Sequence, residues 1–155
     1  MGHTEQHERT KRWYERFKSS SVDTHEHNLP STDYYQDDLY AFFINCYHIK
    51  DWIKNDPKVA KSVKDLTEPY INSNPDLRVC ADLCNGSKHF RLTNKRTATG
   101  ANIGPRNFSL SLGQGLPKIK IKYNIICDGK VQDAHKLAED CMKAWKIFYH
   151  KHNLN

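Results

Sequence analysis

The chain has 155 residues and a formal net charge of +6, and 37% of its residues are hydrophobic and 27% charged. This length and composition predict one globular domain with a normal core. No apolar run approaches the roughly 20 residues that a membrane-spanning helix needs, and the opening residues lack the apolar core of a secretory signal. We therefore expect a cytoplasmic protein with no membrane partner.

Helices are predicted for the first half of the chain. Apolar residues recur with helical spacing over 4–18. The polar, Ser-rich stretch 19–32 is typical of a linker, so this first helix is expected to pack loosely or to form an arm. A second helix over 33–54 carries apolar residues on most of its sides and is expected to be buried.

Two further helices follow after short breaks. Asp56 and Pro57 are residue types favoured at the start of a helix, so a third helix is predicted over 57–70. Asn74 or Pro75 is predicted to open a fourth helix for the same reason.

The spacing of apolar residues changes over residues 100–129, where apolar and polar residues alternate as they do in a half-buried strand. Gly113 and Gly115 can turn the chain between two such runs, and Asp128–Gly129 is typical of a second tight turn. A hairpin alone is marginally stable in water, so its apolar face is expected to cover the helices or a partner. A last helix is predicted over 132–151.

These elements predict a mainly α fold, a helical bundle of four to five helices with a small antiparallel β-hairpin inserted before the last helix. The single domain divides into an N-terminal helix and linker (1–32), a helical core (33–99), the hairpin insert (100–129) and the C-terminal helix (130–155).

A polar stripe on the fourth helix is the most informative local feature. Its members are Arg78, Asp82, Asn85 and His89. They are four, three and four residues apart, which places them within about 60° of helical arc. The stripe lies beside an apolar edge, so we expect partial burial and a pair between Arg78 and Asp82. The stripe exists only if the helix continues through Gly86, because Asn85–Gly86 is also a favourable helix C-terminus.

The residue types in this region fit RNA cleavage, which needs a base, an acid and a cation for the phosphate charge. His89 is the acid–base candidate, and Lys88 and Arg78 are candidate phosphate-binding cations. His48 and Asp51 lie one turn apart on the helix 33–54 and would meet the stripe if the two helices are neighbours. The predicted catalytic residues are His89, Lys88, Asp82, Asn85 and His48, of which the last three orient the others.

A basic segment gives a second indication. From Lys88 to Lys122 the chain carries eight Lys or Arg residues and no Asp or Glu, which favours an anionic partner, RNA or a nucleotide first. The predicted nucleic-acid-binding residues are Arg78, Arg91, Lys95, Arg96, Lys118, Lys120 and Lys122. Two plainer interpretations stay open, a solvated basic surface and lysines that protect an exposed strand edge.

The segment Asn85-x-x-Lys88-His89, late in a helix of a predicted bundle, resembles the HEPN superfamily. The hallmark of that superfamily is an Arg, usually followed by a polar residue, and then a His after four to six more. His89 fills the His position, whereas residues 82–84, where the Arg belongs, are Asp, Leu and Cys. The resemblance implies a helical bundle, a homodimer and metal-independent ribonuclease activity in a defence or toxin–antitoxin type of system.

The five cysteines include no Cys-x-x-Cys pair and are expected to be buried, reduced thiols. No metal or cofactor is predicted, although Cys80 and Cys84 lie one turn apart and leave a metal site open if other residues contribute ligands. The leading hypothesis is that the protein binds RNA or a nucleotide. A more specific version of it is that the protein is a ribonuclease. The alternative is a non-catalytic protein-interaction module with a structural buried polar network.

Overall fold

The computed structural model describes residues 2–19, 21–23, 32–88, 94–111 and 118–154. The helices within them are α1 (His3–Lys18), α2 (Thr32–Asn55), α3 (Lys61–Ser73), α4 (Pro75–Lys88) and α5 (Ala134–Lys151). The strands are β1 (Ser21–Asp23), β2 (Ala101–Ser111), β3 (Lys118–Cys127) and β4 (Lys130–Asp133). The predicted fold class, mainly α with a small antiparallel insert before the last helix, is confirmed. None of the described helices is long and apolar enough to cross a membrane.

The third helix begins later than the sequence predicts, at Lys61 rather than at Pro57. Asp56 caps a turn instead, because its Oδ1 accepts a hydrogen bond from the backbone N–H of Lys58 at 2.9 Å. Its Oδ2 accepts from the backbone N–H of His3 at 3.1 Å. The carboxylate that was expected to start α3 therefore joins the end of α2 to the start of α1.

The starts of α4 and α5 follow ordinary capping chemistry. Asn74 opens α4 as predicted, since its Oδ1 accepts from the backbone N–H of Leu77 at 3.0 Å. Asp133 caps α5 in the same way, through the backbone N–H of Lys136 at 2.9 Å. These two caps fix where two of the helices that form the core begin.

β3 is the central strand of the sheet. β2 pairs with it along one side as the predicted hairpin, and β1 and β4 pair with its other side, all antiparallel. The predicted turn at Asp128–Gly129 is confirmed, with φ values of 50° and 71° that suit a tight hairpin between β3 and β4. The linker prediction over 19–32 is wrong for Ser21–Asp23, which form β1, because three residues are too few to show an alternating pattern.

The apolar face of the sheet covers the helices. Ile121, Tyr123 and Ile125 of β3 are buried in the same core as the helices. The first helix also belongs to this core rather than forming an arm, because Phe17 is fully buried and its ring stacks at 6.3 Å from that of Phe42. The described helices therefore pack around one core, and the small sheet covers one side of that core.

Candidate functional site

The fourth helix runs through Gly86 and ends at Lys88, so the condition on which the polar stripe depends is met. Gly86 is exposed, and a Cβ added there would meet no atom within 4 Å. His89 and Arg91 lie outside the described residues, as do the side chains of Lys118 and Lys120.

The carboxylate of Asp82 accepts hydrogen bonds from another segment of the protein. It is fully buried, and its Oδ1 accepts from the backbone N–H of Arg96 at 2.7 Å. Its Oδ2 accepts from the backbone N–H of Thr97 at 3.0 Å and also from the Thr97 hydroxyl. Asp82 was expected to pair with Arg78, but its two oxygens are occupied by the segment that leads into β2. The carboxylate is therefore an anchor for that segment.

Arg78, the first residue of the stripe, lies on the opposite side of this anchor from Lys88 along the helix. Its side chain is partly buried, and its Nε finds no hydrogen-bond partner among the described residues. It lines a cavity of about 280 Å³ together with Thr97 and Asp128. Arg78 and Lys88, the two cations predicted to bind phosphate, therefore lie at opposite ends of α4.

Arg96 belongs to a polar network between α2 and α3. Its guanidinium donates to Glu68 Oε2 at 2.8 Å, to the Tyr47 hydroxyl at 2.9 Å and to Asn72 Oδ1. Lys50 completes the network from α2, since its Nζ donates to Glu68 Oε1 at 2.8 Å and lies 4.6 Å from the centre of the Tyr47 ring. Arg96 is thus held in place by the protein.

Glu68 is the negative centre of this network. Burial raises the pKa of its carboxyl, but the hydrogen bonds and charges of Lys50 and Arg96 outweigh burial and lower that pKa to about 2. The carboxylate is therefore ionised at neutral pH and fixes both cations. Sequence reasoning missed Tyr47, Lys50 and Glu68. The one available signal was the spacing of Tyr47 and Lys50, which places them on one face of α2.

The exposed end of α4 meets α2 at a different kind of contact. Lys88 Nζ lies 2.8 Å from Nε2 of His48, which brings together two of the predicted catalytic residues. An ammonium can only donate, so Nε2 accepts and the ring proton lies on Nδ1. Burial lowers the pKa of His48, and the charges of Lys88 and Lys50 lower it further against the opposing effect of Asp51. His48 is therefore a neutral imidazole at pH 7.

The surroundings of this pair are mainly polar and basic. Asp51 lies one turn beyond His48 and within 3.5 Å of Lys50 Nζ, and Asn85, about one turn before Lys88, is partly buried. Within the described part of the chain, Lys88 has no carboxylate at ion-pair distance. Lys95 and Lys122 are exposed, but neither contacts the pair.

The potential metal ligands lie elsewhere. All five cysteines are free and buried, as predicted. The sulfur of Cys80 lies close to those of Cys46 and Cys141 rather than to that of Cys84. The metal site with Cys80 and Cys84 that the sequence left open is therefore not the arrangement found in this core. Among the described residues these three thiols are the one group of His, Cys, Asp or Glu side chains close enough to share an ion.

No family model, curated protein or solved structure matches the chain.

Proposed function

We propose that the chain binds RNA at the face where α2 and α4 meet, and that His48 takes a proton there in a metal-independent cleavage of the phosphodiester. The observation that carries this proposal is the 2.8 Å contact between Lys88 Nζ and His48 Nε2. It places a cation and a neutral base side by side at a partly exposed position.

The charge of the pair favours a phosphate. Lys88 is exposed and carries a positive charge that no described carboxylate neutralises within 4 Å. A phosphate oxygen is a stronger acceptor for an ammonium than an imidazole nitrogen, because it is charged. A bound phosphate would draw the ammonium away from His48 and leave Nε2 free to accept a proton.

The chemistry that such a pair supports is attack by a ribose 2′-hydroxyl on the adjacent phosphate. His48 Nε2 accepts the hydroxyl proton, the 2′-oxygen bonds to phosphorus, and the bond to the 5′-oxygen breaks. Lys88 stabilises the negative charge that builds up on the phosphate oxygens. The products are a 2′,3′-cyclic phosphate and a free 5′-hydroxyl, whose proton comes from a general acid or water.

Binding and cleavage are tested separately. Binding of a labelled single-stranded RNA is measured by fluorescence anisotropy at several salt concentrations. Lys88→Gln is expected to weaken binding several-fold and to lower the slope of log K against log salt by about one unit, because one phosphate contact is lost. Lys146→Gln is the matched control, since Lys146 is an exposed lysine on α5 that lines a different cleft.

Cleavage is followed in the same protein with EDTA present. His48→Ala is expected to abolish cleavage while binding stays within about tenfold of the wild type, an upper limit set by the loss of one neutral hydrogen bond. The cleavage rate should rise with pH through a pKa below 6.5 and stay flat above pH 7. RNA binding that Lys88→Gln leaves unchanged would overturn the binding site. Cleavage that persists in His48→Ala would overturn the role of the imidazole.

A second candidate function is a non-catalytic interaction module. The observation that favours it is a cleft of about 540 Å³ between α1 and α5, with a mainly apolar lining that includes Tyr14, Met142 and Tyr149. Lys11 and Lys143 also line it. If the wild-type chain binds no RNA at any salt concentration, the interaction module is the favoured function. If Lys146→Gln weakens RNA binding and Lys88→Gln does not, the RNA lies in this cleft instead.

A further inference from the structure

Three cysteine sulfurs meet in the core where three helices pack together. Cys46 lies on α2, Cys80 on α4 and Cys141 on α5, and their Sγ atoms all lie within 4.8 Å of one another. All three side chains are fully buried and all three are free thiols. Residues so far apart in sequence share no spacing motif, so the sequence alone does not predict this cluster.

The three thiols differ in acidity. Burial raises the pKa of Cys80 and of Cys141 well above its usual value, and each donates to a backbone carbonyl oxygen at 3.5 Å. Burial acts on Cys46 in the same direction, but the closeness of Cys141, Cys80 and the indole of Trp145 lowers its pKa. The neighbouring thiols and the indole therefore favour the thiolate form of Cys46, which is the form that binds an ion.

The indole of Trp145 is a second polar group at this place. Its Nε1 is buried and makes no hydrogen bond of normal geometry with a described residue. It lies close enough to Cys46 to lower the pKa of that thiol. A donor this close to the sulfurs favours an occupant that leaves electron density on sulfur, as a thiolate complex does.

The charge of the core decides which ion fits. The groups that act most strongly on the three thiols are one another, Trp145 and Asp76, and none of them is positively charged. Net charge in such a core is costly. Three thiolates around Cu(I) or Zn(II) leave a negative charge, and Zn(II) also requires a fourth ligand. Three thiolates around a trivalent ion form a neutral complex.

We propose that Cys46, Cys80 and Cys141 form a binding site for trivalent arsenic, which reaches them as arsenous acid. Each thiol forms one arsenic–sulfur bond and displaces one hydroxyl group of As(OH)3, and the thiol proton leaves with that hydroxyl as water. Three waters are released and no atom changes its oxidation state. Trivalent arsenic is pyramidal, so with bonds of about 2.3 Å, as in other thiolate complexes, the sulfurs lie roughly 3.3 to 3.5 Å apart. The Sγ atoms of the cluster all lie within 4.8 Å of one another, so binding draws them closer together.

The test is the mass of the intact, folded chain after incubation with sodium arsenite. A second sample is refolded in arsenite, because buried sulfurs react only when the core opens. The expected mass gain is one arsenic atom less three hydrogens, which reports three arsenic–sulfur bonds. The adduct should also raise the midpoint of thermal unfolding, since it binds the folded chain and ties α2, α4 and α5 together.

Single substitutions assign the site. Cys46→Ala, Cys80→Ala and Cys141→Ala are each expected to lose the three-hydrogen adduct, and any one of them that stays folded decides the question. Cys84→Ala is the matched control, because Cys84 is equally buried on α4 but lies outside the cluster. The proposal is overturned if neither sample forms the adduct, if the cluster variants keep it, or if Cys84→Ala loses it.

Discussion

Two polar positions on α4, six residues apart, have opposite surroundings. Asp82 lies in the middle of the helix, is fully buried, and receives three hydrogen bonds from Arg96 and Thr97. Lys88 lies at the exposed end, and its described polar contact is the neutral ring of His48. The hydrogen-bonding capacity of Asp82 is used by the protein's own backbone and side chains. The positive charge of Lys88, in contrast, is available for a ligand to neutralise.

This difference divides the polar residues of α4 into a buried group and an exposed group. A polar group that is buried must be paired, and its partners then come from the protein. A polar group at a helix end is free to exchange its partner. Residue types alone do not distinguish these cases, so the anchor and the ligand-facing pair have to be separated by experiment.

Removing the anchor is expected to give the largest effect. Asp82→Ala leaves the backbone N–H groups of Arg96 and Thr97 without an acceptor, and it should lower the free energy of unfolding by roughly 3 kcal/mol. Urea unfolding followed by circular dichroism measures this change. Removing the exposed amine with Lys88→Gln should leave the unfolding midpoint unchanged.

A smaller variant removes the Thr97 hydroxyl. Thr97→Val keeps the backbone N–H bond to Asp82, but it loses the bond that the hydroxyl donates to Asp82 and the one that it accepts from the backbone N–H of Gly100 at 3.0 Å, so it should cost about 1 to 2 kcal/mol. If Asp82→Ala unfolds at the same urea concentration as the wild type, the carboxylate does not anchor the segment before β2. Asp82 and Lys88 would then not differ in their effect on stability.

The fold was largely predictable because it depends on local patterns. Helical spacing located α2 and α5, and the alternating pattern with Asp128–Gly129 located the sheet before the last helix. The burial of α1 was missed because its contact surface includes polar residues. Gln6 is buried and its amide donates to the backbone oxygen of Asn45 at 2.9 Å, a contact between elements that no local pattern encodes.

The candidate site was less predictable, because its partners come from separate elements. Residue spacing left open whether the fourth helix continues through Gly86 or ends there, and the structure shows that α4 continues to Lys88. The partner of Asp82 could not be found this way, since Arg96 and Thr97 lie in an irregular segment after the helix. The Glu68 network was missed for the same reason.

That network should give a pH-dependent effect of intermediate size. The pKa of Glu68 falls from 4.5 to about 2 on folding, so its stabilisation is complete above about pH 4.5 and is lost as the pH falls toward 2. Its side chain is 30% exposed, and after allowing for solvent screening we expect about 1 to 2 kcal/mol. Glu68→Gln should remove this amount at pH 7 and flatten the stability profile between pH 4.5 and 2.

The control for this change lies on the same helix. Asp65 pairs with Lys61 at 2.8 Å, but both side chains are largely exposed, so Asp65→Asn should leave stability unchanged. Urea unfolding at several pH values compares the two variants. Equal profiles for Glu68→Gln and the wild type below pH 4.5 and at pH 7 would show that the network does not hold Arg96 in place.

The smallest effect concerns the helix between the anchor and the exposed pair. Gly86 lies inside α4 with open space around it, so Gly86→Ala should raise the free energy of unfolding by about 0.5 to 1 kcal/mol through the lower backbone entropy of alanine in the unfolded chain. Gly104 is the contrasting site, because a Cβ there would lie 2.9 Å from two side-chain atoms of Ile126, and Gly104→Ala should destabilise.

The sign of the stability change in Gly86→Ala shows whether the helix continues through Gly86. A gain in stability is expected if the helix continues through Gly86 and holds Lys88 against His48, because alanine favours a helix interior. A loss would mean that the helix ends at Gly86 in a left-handed conformation, where alanine is strained. Lys88 would then have no fixed position relative to Asp82, and the division of α4 into an anchored middle and a ligand-facing end would have no structural basis.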